Sequence, residues 1–173
     1  MASSIRLLPA AEFPRHLDAL TELLQDAVDS GASVGFLPPL ATTEAQHYWR
    51  SLQNDLVAGH VLLLVAEEAG EVVGTVQLHL ATKANAAHRA EVAKLLVHRR
   101  AQRRGIGRHL MQAVEDLARQ QHRTTLVLDT LQGAPSELLY QCLGYVAAGV
   151  IPRFARVADG SLQPTVVYYK LLG

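Results

Sequence analysis

A single cysteine, Cys142, stands in a chain of 173 residues, which excludes an internal disulfide and any metal centre built on paired thiolates. The eight histidines offer no substitute, because no two lie three or four positions apart as ligands on one helix or turn would, and no metal site is expected. Neither sign of charge is in excess: sixteen Lys and Arg balance sixteen Asp and Glu, so nothing global favours nucleic acid or a membrane surface as partner. The longest apolar run, Val61 to Ala66, falls far short of the ~20 residues that cross a bilayer. The opening Met1-Ala2-Ser3-Ser4-Ile5-Arg6 lacks the apolar stretch of a secretory signal, and a cytoplasmic location is the expectation. Repeats, linkers and low-complexity tracts are also missing. Apolar side chains are plentiful at 49%, enough to bury a core without staples, and residues 1–173 are expected to form a single domain.

Apolar periodicity divides the chain into interspersed strands and helices. Ile5 to Leu8 reads as a strand, and Leu17, Leu20, Leu24 and Val28 give a helix that stops at Gly31. Ser30 to Leu40, with Pro38-Pro39, reads as loop. Thr43 and Gln46 have the form of a capping box for one helix along Ala45, Trp49, Leu52 and Leu56, ending near Gly59. Val61 to Ala66 and Val72 to Leu80 look like an antiparallel hairpin. Strands Ala90 to Val97 and Thr124 to Asp129 flank a helix striped by Leu110, Met111, Val114, Leu117 and Ala118. A short helix around Ser136 to Cys142 precedes strands Tyr145 to Ile151 and Thr165 to Leu172. The order predicts an α/β fold, a mixed sheet with helices on both faces.

The most informative segment is Gln102-Arg103-Arg104-Gly105-Ile106-Gly107, a glycine-bearing turn between an apolar strand and an amphipathic helix. A helix start exposes unpaired N–H groups and the positive end of the helix dipole, and glycines let an anion approach the backbone closely. A dinucleotide fingerprint would require Gly or Ala where Leu110 stands, and a P-loop would require Gly-Lys-Ser or Gly-Lys-Thr; neither is present. Arg99, Arg100, Arg103, Arg104 and Arg108 surround the turn, either as a solvated face or as a positive field for phosphates. No aromatic residues interleave with them, which disfavours nucleic acid.

This turn matches the Q/R-x-x-G-x-G/A signature, and Leu95-Leu96-Val97 precedes it at the matching distance; in both respects the chain resembles the GNAT family of acetyltransferases. The stretch Glu137 to Tyr145 resembles the family's second signature, with Tyr140 four residues before Gly144-Tyr145. The resemblance implies a mostly antiparallel sheet of six to seven strands and acetyl-CoA as co-substrate. It further implies that the backbone of Leu95, Leu96 and Val97 pairs with the pantetheine arm. The amides of Gln102, Arg103, Arg104, Gly105, Ile106, Gly107 and Arg108 would then hold the pyrophosphate.

Acyl transfer needs an uncharged nucleophile and a proton for the leaving thiolate. A tyrosine hydroxyl near pKa 10 can donate to a thiolate near 8.5 at modest cost, so Tyr140 is the candidate acid; its alternative is packing, with the hydroxyl merely anchoring the sulfur. Glu91, eleven residues before Gln102, stands where histone-type members carry a catalytic glutamate, and Asp129 ends the next strand. Either could be the base, or Glu91 could pair with Arg89 or Lys94 and Asp129 could cap a turn. The asparagine frequent in the family seven residues before this tyrosine is replaced by Gly133. Cys142, in the short helix, reads as a small buried residue, with a ping-pong acyl-cysteine as the alternative.

A narrower likeness, to tabtoxin-resistance-type acetyltransferases, rests on Ser30 to Phe36, Arg89-Ala90-Glu91, Leu128-Asp129-Thr130 and the tail from Asp159-Gly160 through Pro164-Thr165 to Tyr168 and Lys170. It implies a small, polar, amino-acid-like acceptor carrying an amine or hydroxyl, with Ser33 and Phe36 on the acceptor side and Trp49 either an apolar wall or core. A protein N-terminus or lysine as acceptor, and a non-catalytic acyl-CoA sensor, are the alternatives. Oligomeric state is left open, with a homodimer as one outcome.

Overall fold

The computed structural model describes residues 3–173. Strands β1 (Ser4–Leu7), β2 (Val61–Glu68), β3 (Glu71–Leu80), β4 (Arg89–Val97), β5 (Thr125–Leu131), β6 (Val146–Arg156) and β7 (Leu162–Leu171) form one sheet in the order β1-β2-β3-β4-β5-β7-β6. The helices are α1 (Phe13–Asp29), α2 (Thr42–Ser51), α3 (Gln53–Ala58), α4 (Ile106–Gln120) and α5 (Pro135–Cys142). Every neighbouring pair of strands is antiparallel except β4 and β5, which agrees with the mostly antiparallel sheet that the motifs imply.

Period-two alternation sorts the core into two layers. On β2, Val61, Leu63 and Val65 face α1, α2 and α3, where they meet Phe13, Leu20, Leu24 and Trp49. Leu64 and Ala66 face the other way, onto Leu110, Met111 and Val114 of α4. Among the described residues no helix is long and apolar enough to cross a membrane.

The site depends on two irregularities. β4 and β5 pair only from Arg89↔Thr125 to Glu91↔Val127, after which they part. Each keeps its outer partner: β4 follows β3 as far as Val97↔Gly74, and β5 follows β7 as far as Leu131↔Thr165. The parting therefore opens a slot within an otherwise continuous sheet. The second irregularity is a bulge. Thr75 pairs with Leu96 and Gln77 with Ala93, so Val76 alone faces Lys94 and Leu95, and Lys94 takes up a left-handed φ of 50°. The extra residue reverses the alternation along β4. Ala90 and Val92 pack toward α4, whereas Leu96 packs toward α1, and Lys94 turns to the same side as Leu96.

The single helix expected from Ala45 to Leu56 is two helices. At Leu52 the N–H bonds back to Trp49 in a tightened turn, after which α3 resumes and closes at Gly59. The expected capping box also fails: α2 begins at Thr42, so Thr43 lies inside it, and no side chain caps it. The Thr42 hydroxyl instead accepts from Gln25 Nε2 at 3.2 Å. β6 runs to Arg156, longer than its apolar pattern predicts, because pairing with β7 resumes at Ala155↔Gln163 beyond an irregular stretch. Cys142, expected to be buried, is exposed, since two residues beyond the buried Tyr140 it lies on the opposite face of α5.

Gly74 lets α4 settle onto the sheet. A Cβ there would lie 3.1 Å from Leu110 Cδ1 and from the Leu96 carbonyl oxygen, and 3.3 Å from Ile106 Cγ2. Gly74→Ala is therefore expected to cost roughly 1–3 kcal/mol by overpacking, read as a lower urea midpoint at unchanged m-value; an unchanged midpoint would show that α4 can lift without loss.

Candidate active site

The backbone N–H groups of Arg103 through Arg108 have no acceptor in the fold among the described residues, and the first helical bond across the start of α4 is His109 N–H to Gly105 O at 3.0 Å. Gly105 caps the helix at φ 81°, where an L side chain would be strained, and the first turn holds no acidic residue. A row of free amides and an uncompensated dipole thus come together at this turn. The preceding strand end is fixed by Gln102, whose Nε2 donates to Val97 O at 3.0 Å.

The five arginines differ in what they are free to do. Arg99 is anchored to Asp26, Arg100 to Glu71 at 2.6 Å and Arg104 to Glu68 at 2.8 Å. Arg103 and Arg108 are exposed and have no carboxylate within ion-pair distance among the described residues. The free cationic field at the turn is therefore smaller than the sequence suggests and lies on these two.

From the turn a cavity of about 1050 Å³ runs along the slot, past Leu95 to Val97 on one wall and Asp129 to Leu131 on the other. Tyr140 closes its side. Pro135 at the first position of α5 preorganises that helix, and at its other end Gly144 N–H bonds Gln141 O and Tyr145 N–H bonds Tyr140 O, a Schellman closure. This explains the glycine-aromatic pair of the second signature. Glu137 and Gln141, which bracket Tyr140, both grip the Tyr168 hydroxyl, at 2.5 and 3.1 Å, and lock α5 to β7. The Tyr140 ring packs against Tyr145 and Tyr168, while its hydroxyl has no hydrogen-bond partner among the described residues.

Burial, reinforced by the charge of Asp129, pushes the Tyr140 hydroxyl up to about 12. It stays protonated across the neutral range. Full proton transfer to a thiolate near pKa 8.5 would run uphill by roughly 5 kcal/mol, more than the unperturbed value suggests. A hydrogen bond to the sulfur costs nothing of this kind, so the environment favours the anchoring role over complete proton release.

Glu91 is exposed at the fork, opposite His79 on β3, and makes no ion pair with Arg89 or Lys94. Asp129 also lies in the fork, where its Oδ2 accepts from the Thr165 hydroxyl at 2.8 Å rather than capping a turn. Both carboxylates line the cavity with Tyr140. On the acceptor side Ser33 and Phe36 line it as well, Phe36 edge-on to Tyr48 with centroids 5.4 Å apart. Trp49 does not reach it and is a fully buried core residue. In place of the absent asparagine, the Thr130 and Ser136 hydroxyls, 2.7 Å apart, line the wall, and Gly133 N–H donates to Glu137 Oε1 at 2.6 Å. Lys94 was not legible as a cavity residue, since only the bulge brings it to the side of Glu91. Among the described residues no group of His, Cys, Asp and Glu is arranged to hold a metal.

A forked sheet with free amides near one end and a tyrosine at its side agrees with what the resemblance of the two motifs implies. Residues 19–145 match the acetyltransferase (GNAT) family model, and the chain belongs to that family. Its fold is similar to that of an N-acetyltransferase from Staphylococcus aureus Mu50, with TM-score 0.80, 20% identity and all of both chains covered. A Salmonella typhimurium protein provisionally assigned as an acetyltransferase, with its cofactor acetyl-CoA, gives 0.78 and 23% over 100% of this chain and 95% of that one. The ribosomal-protein-alanine N-acetyltransferase from Brucella melitensis gives 0.78 and 22% over 98% and 99%. The chain is thus an acetyltransferase, and acetyl-CoA is its co-substrate.

Asp26, 8% exposed on α1, accepts from the Arg99 backbone N–H at 2.8 Å and from its guanidinium, tethering the segment that enters the glycine turn. Burial alone would raise its pKa, but the two Arg99 donors and the nearby His98 outweigh burial and hold it below the ordinary value. A lowered folded-state pKa contributes stability that is present above the unfolded value near 4 and lost as pH falls through the folded one. Asp26→Asn should therefore destabilise the protein by roughly 1.5–3 kcal/mol at pH 7, with the gap to wild type closing as pH falls through the lowered folded-state pKa. Denaturant titrations at neutral and acidic pH check this, and a gap independent of pH would contradict it.

Proposed function

We propose that residues 1–173 act as a single domain that moves the acetyl group of acetyl-CoA directly to an amine or hydroxyl of a small polar, amino-acid-like acceptor. Support comes first from one observation: the cavity at the fork of β4 and β5 runs from Gln102, the residue before the free amides, past Leu95 to Val97 to Tyr140, Glu91 and Asp129. The donor fits the residues present. Unpaired amides from Arg103 to Arg108, with Gln102 before them, suit a pyrophosphate, and the inner edges of Leu95, Leu96 and Val97, freed by the parting, suit an amide-bearing arm. When bound, acetyl-CoA supplies an acetyl group activated as a thioester.

The chain's own residues then have separate tasks. Glu91 or Asp129 takes the proton of an acceptor amine, directly or through a water, because a primary amine near pKa 10 is mostly protonated at neutral pH. Tyr140 directs its hydroxyl at the leaving sulfur and keeps its proton until one arrives from the acceptor side. Ser33 and Phe36 bound the acceptor's space. A small acceptor suits this cavity because the Ser30 to Leu37 loop and the Phe154 to Arg156 end of β6 both wall it, whereas a peptide would need an open groove. A detoxifying role is consistent with the similarity, at 19% identity and TM-score 0.81, to a protein provisionally assigned as a phosphinothricin N-acetyltransferase.

An acceptor screen with free-thiol detection and product mass tests the reading, and silence across small amines and hydroxylated amino acids would remove it. With a working acceptor, Tyr140→Phe should lower kcat on the order of 10²-fold with little change in acetyl-CoA affinity, and full turnover would remove Tyr140 from the chemistry. Of Glu91→Gln and Asp129→Asn, the variant lacking the true base should lose the acidic limb of the pH profile of kcat/KM. Retention of that limb in both would exclude both.

A further inference from the structure

The bulge presents a cation that the fold leaves without a partner. Lys94 is half-buried in the cavity wall, yet among the described residues no carboxylate lies within ion-pair distance of its ammonium and no acceptor hydrogen-bonds it. Its Nζ lies 5.2 Å from the centroid of the Tyr48 ring, next to the backbone of Gly35, where a Cβ would come within 3.9 Å. Tyr48 is itself held, its hydroxyl donating to Gln77 Oε1 at 3.1 Å, and Gln77 Oε1 also meets His79 Nε2 at 2.8 Å. The ammonium thus rests on a fixed aromatic face under the Ser30 to Leu37 loop, with its N–H donors available to the cavity.

A partly desolvated ammonium without a hydrogen-bonded counter-ion is costly unless a ligand completes it. Burial lowers the Lys94 pKa, and the more distant charges of Asp129 and Glu91 oppose that shift. The other charged groups around the cavity are Glu44 and Arg156, and the Arg156 guanidinium already donates to Gly160 O at 2.6 Å. Two carboxylates at the fork and one unpartnered ammonium nearby complement a molecule that carries an amine at one end and an acid at the other.

We propose that Lys94 binds the carboxylate of the acceptor and so selects amino acids that keep a free acid group, with their amine or hydroxyl turned toward Glu91 and Asp129. This rests on the small-acceptor reading above. The bulge makes it feasible: on a regular strand Lys94 would point at α4 with Ala90 and Val92, away from the acceptor. The ring of Tyr48 orients the ammonium without neutralising it.

The chain has only three lysines, Lys83, Lys94 and Lys170, so reductive ¹³C-methylation gives a resolvable set of NMR signals. CoA-saturated enzyme is titrated with free serine, homoserine, 2,3-diaminopropionate and lysine, and in parallel with their methyl esters. The Lys94 signal is expected to shift with the acids and not with the esters, while Lys83 and Lys170 stay still. No response of Lys94, or the same response to acid and ester, overturns the proposal. This arm needs no turnover, so it reads Lys94 even if the acceptor screen is silent and the functional reading fails. With any acetylated acid, Lys94→Gln should raise its KM about tenfold or more, leave the KM for acetyl-CoA and kcat nearly unchanged, and be partly rescued by Lys94→Arg. A fall in kcat with unchanged acceptor KM would contradict it.

Discussion

Everything distinctive in this molecule depends on how β4 is constrained. It must pair with β3 along its whole length, yet it holds β5 for only three residues before the two part. The bulge at Lys94 and Leu95 reconciles these demands by bending and twisting β4 while its ladder with β3 continues. A β4 without the bulge would turn Lys94 into the α4 layer. Gly74, opposite Val97, allows Ile106 and Leu110 to descend onto the sheet there, which brings the start of α4 close to the end of β4.

Electrostatics around the slot is sparing. Asp26, Glu71 and Glu68 engage three of the five arginines near the turn, and only the Asp26 tether is substantially buried. Exposed pairs of this kind contribute about 0–1 kcal/mol each, so Arg100 and Arg104 are restrained rather than strongly held. On the opposite wall the raised pKa of Tyr140 preserves a neutral hydrogen-bond donor, which the proposed function directs at the sulfur, and Glu137, Gln141 and Tyr168 fix the helix that carries it.

Much of this was legible in the sequence, for identifiable reasons. Strong period-two and period-3.6 patterns gave the strands and helices to within a few residues, because most of β2 from Val61 to Ala66 and the stripe of α4 are buried. The Gln102 to Gly107 turn was legible because its chemistry is carried by local backbone. What escaped was set by tertiary context. The break at Leu52 leaves the apolar stripe intact, so periodicity could not reveal it. The bulge has no composition of its own, although a lone lysine in the apolar run Val92 to Val97 was a hint, since Glu91 and Lys94 cannot share a face of a regular strand. Which arginines are free, and how far the Tyr140 pKa rises, depend on residues dozens of positions away.

The account makes the fork and the turn beyond it one continuous donor site. Backbone amide chemical-shift mapping during titration with CoA tests that directly. The largest changes should fall on Arg103 to Arg108 and on Leu95 to Val97, with smaller ones at Thr130 and Leu131 across the slot. Changes centred elsewhere, or confined to the turn with β4 unmoved, would contradict it.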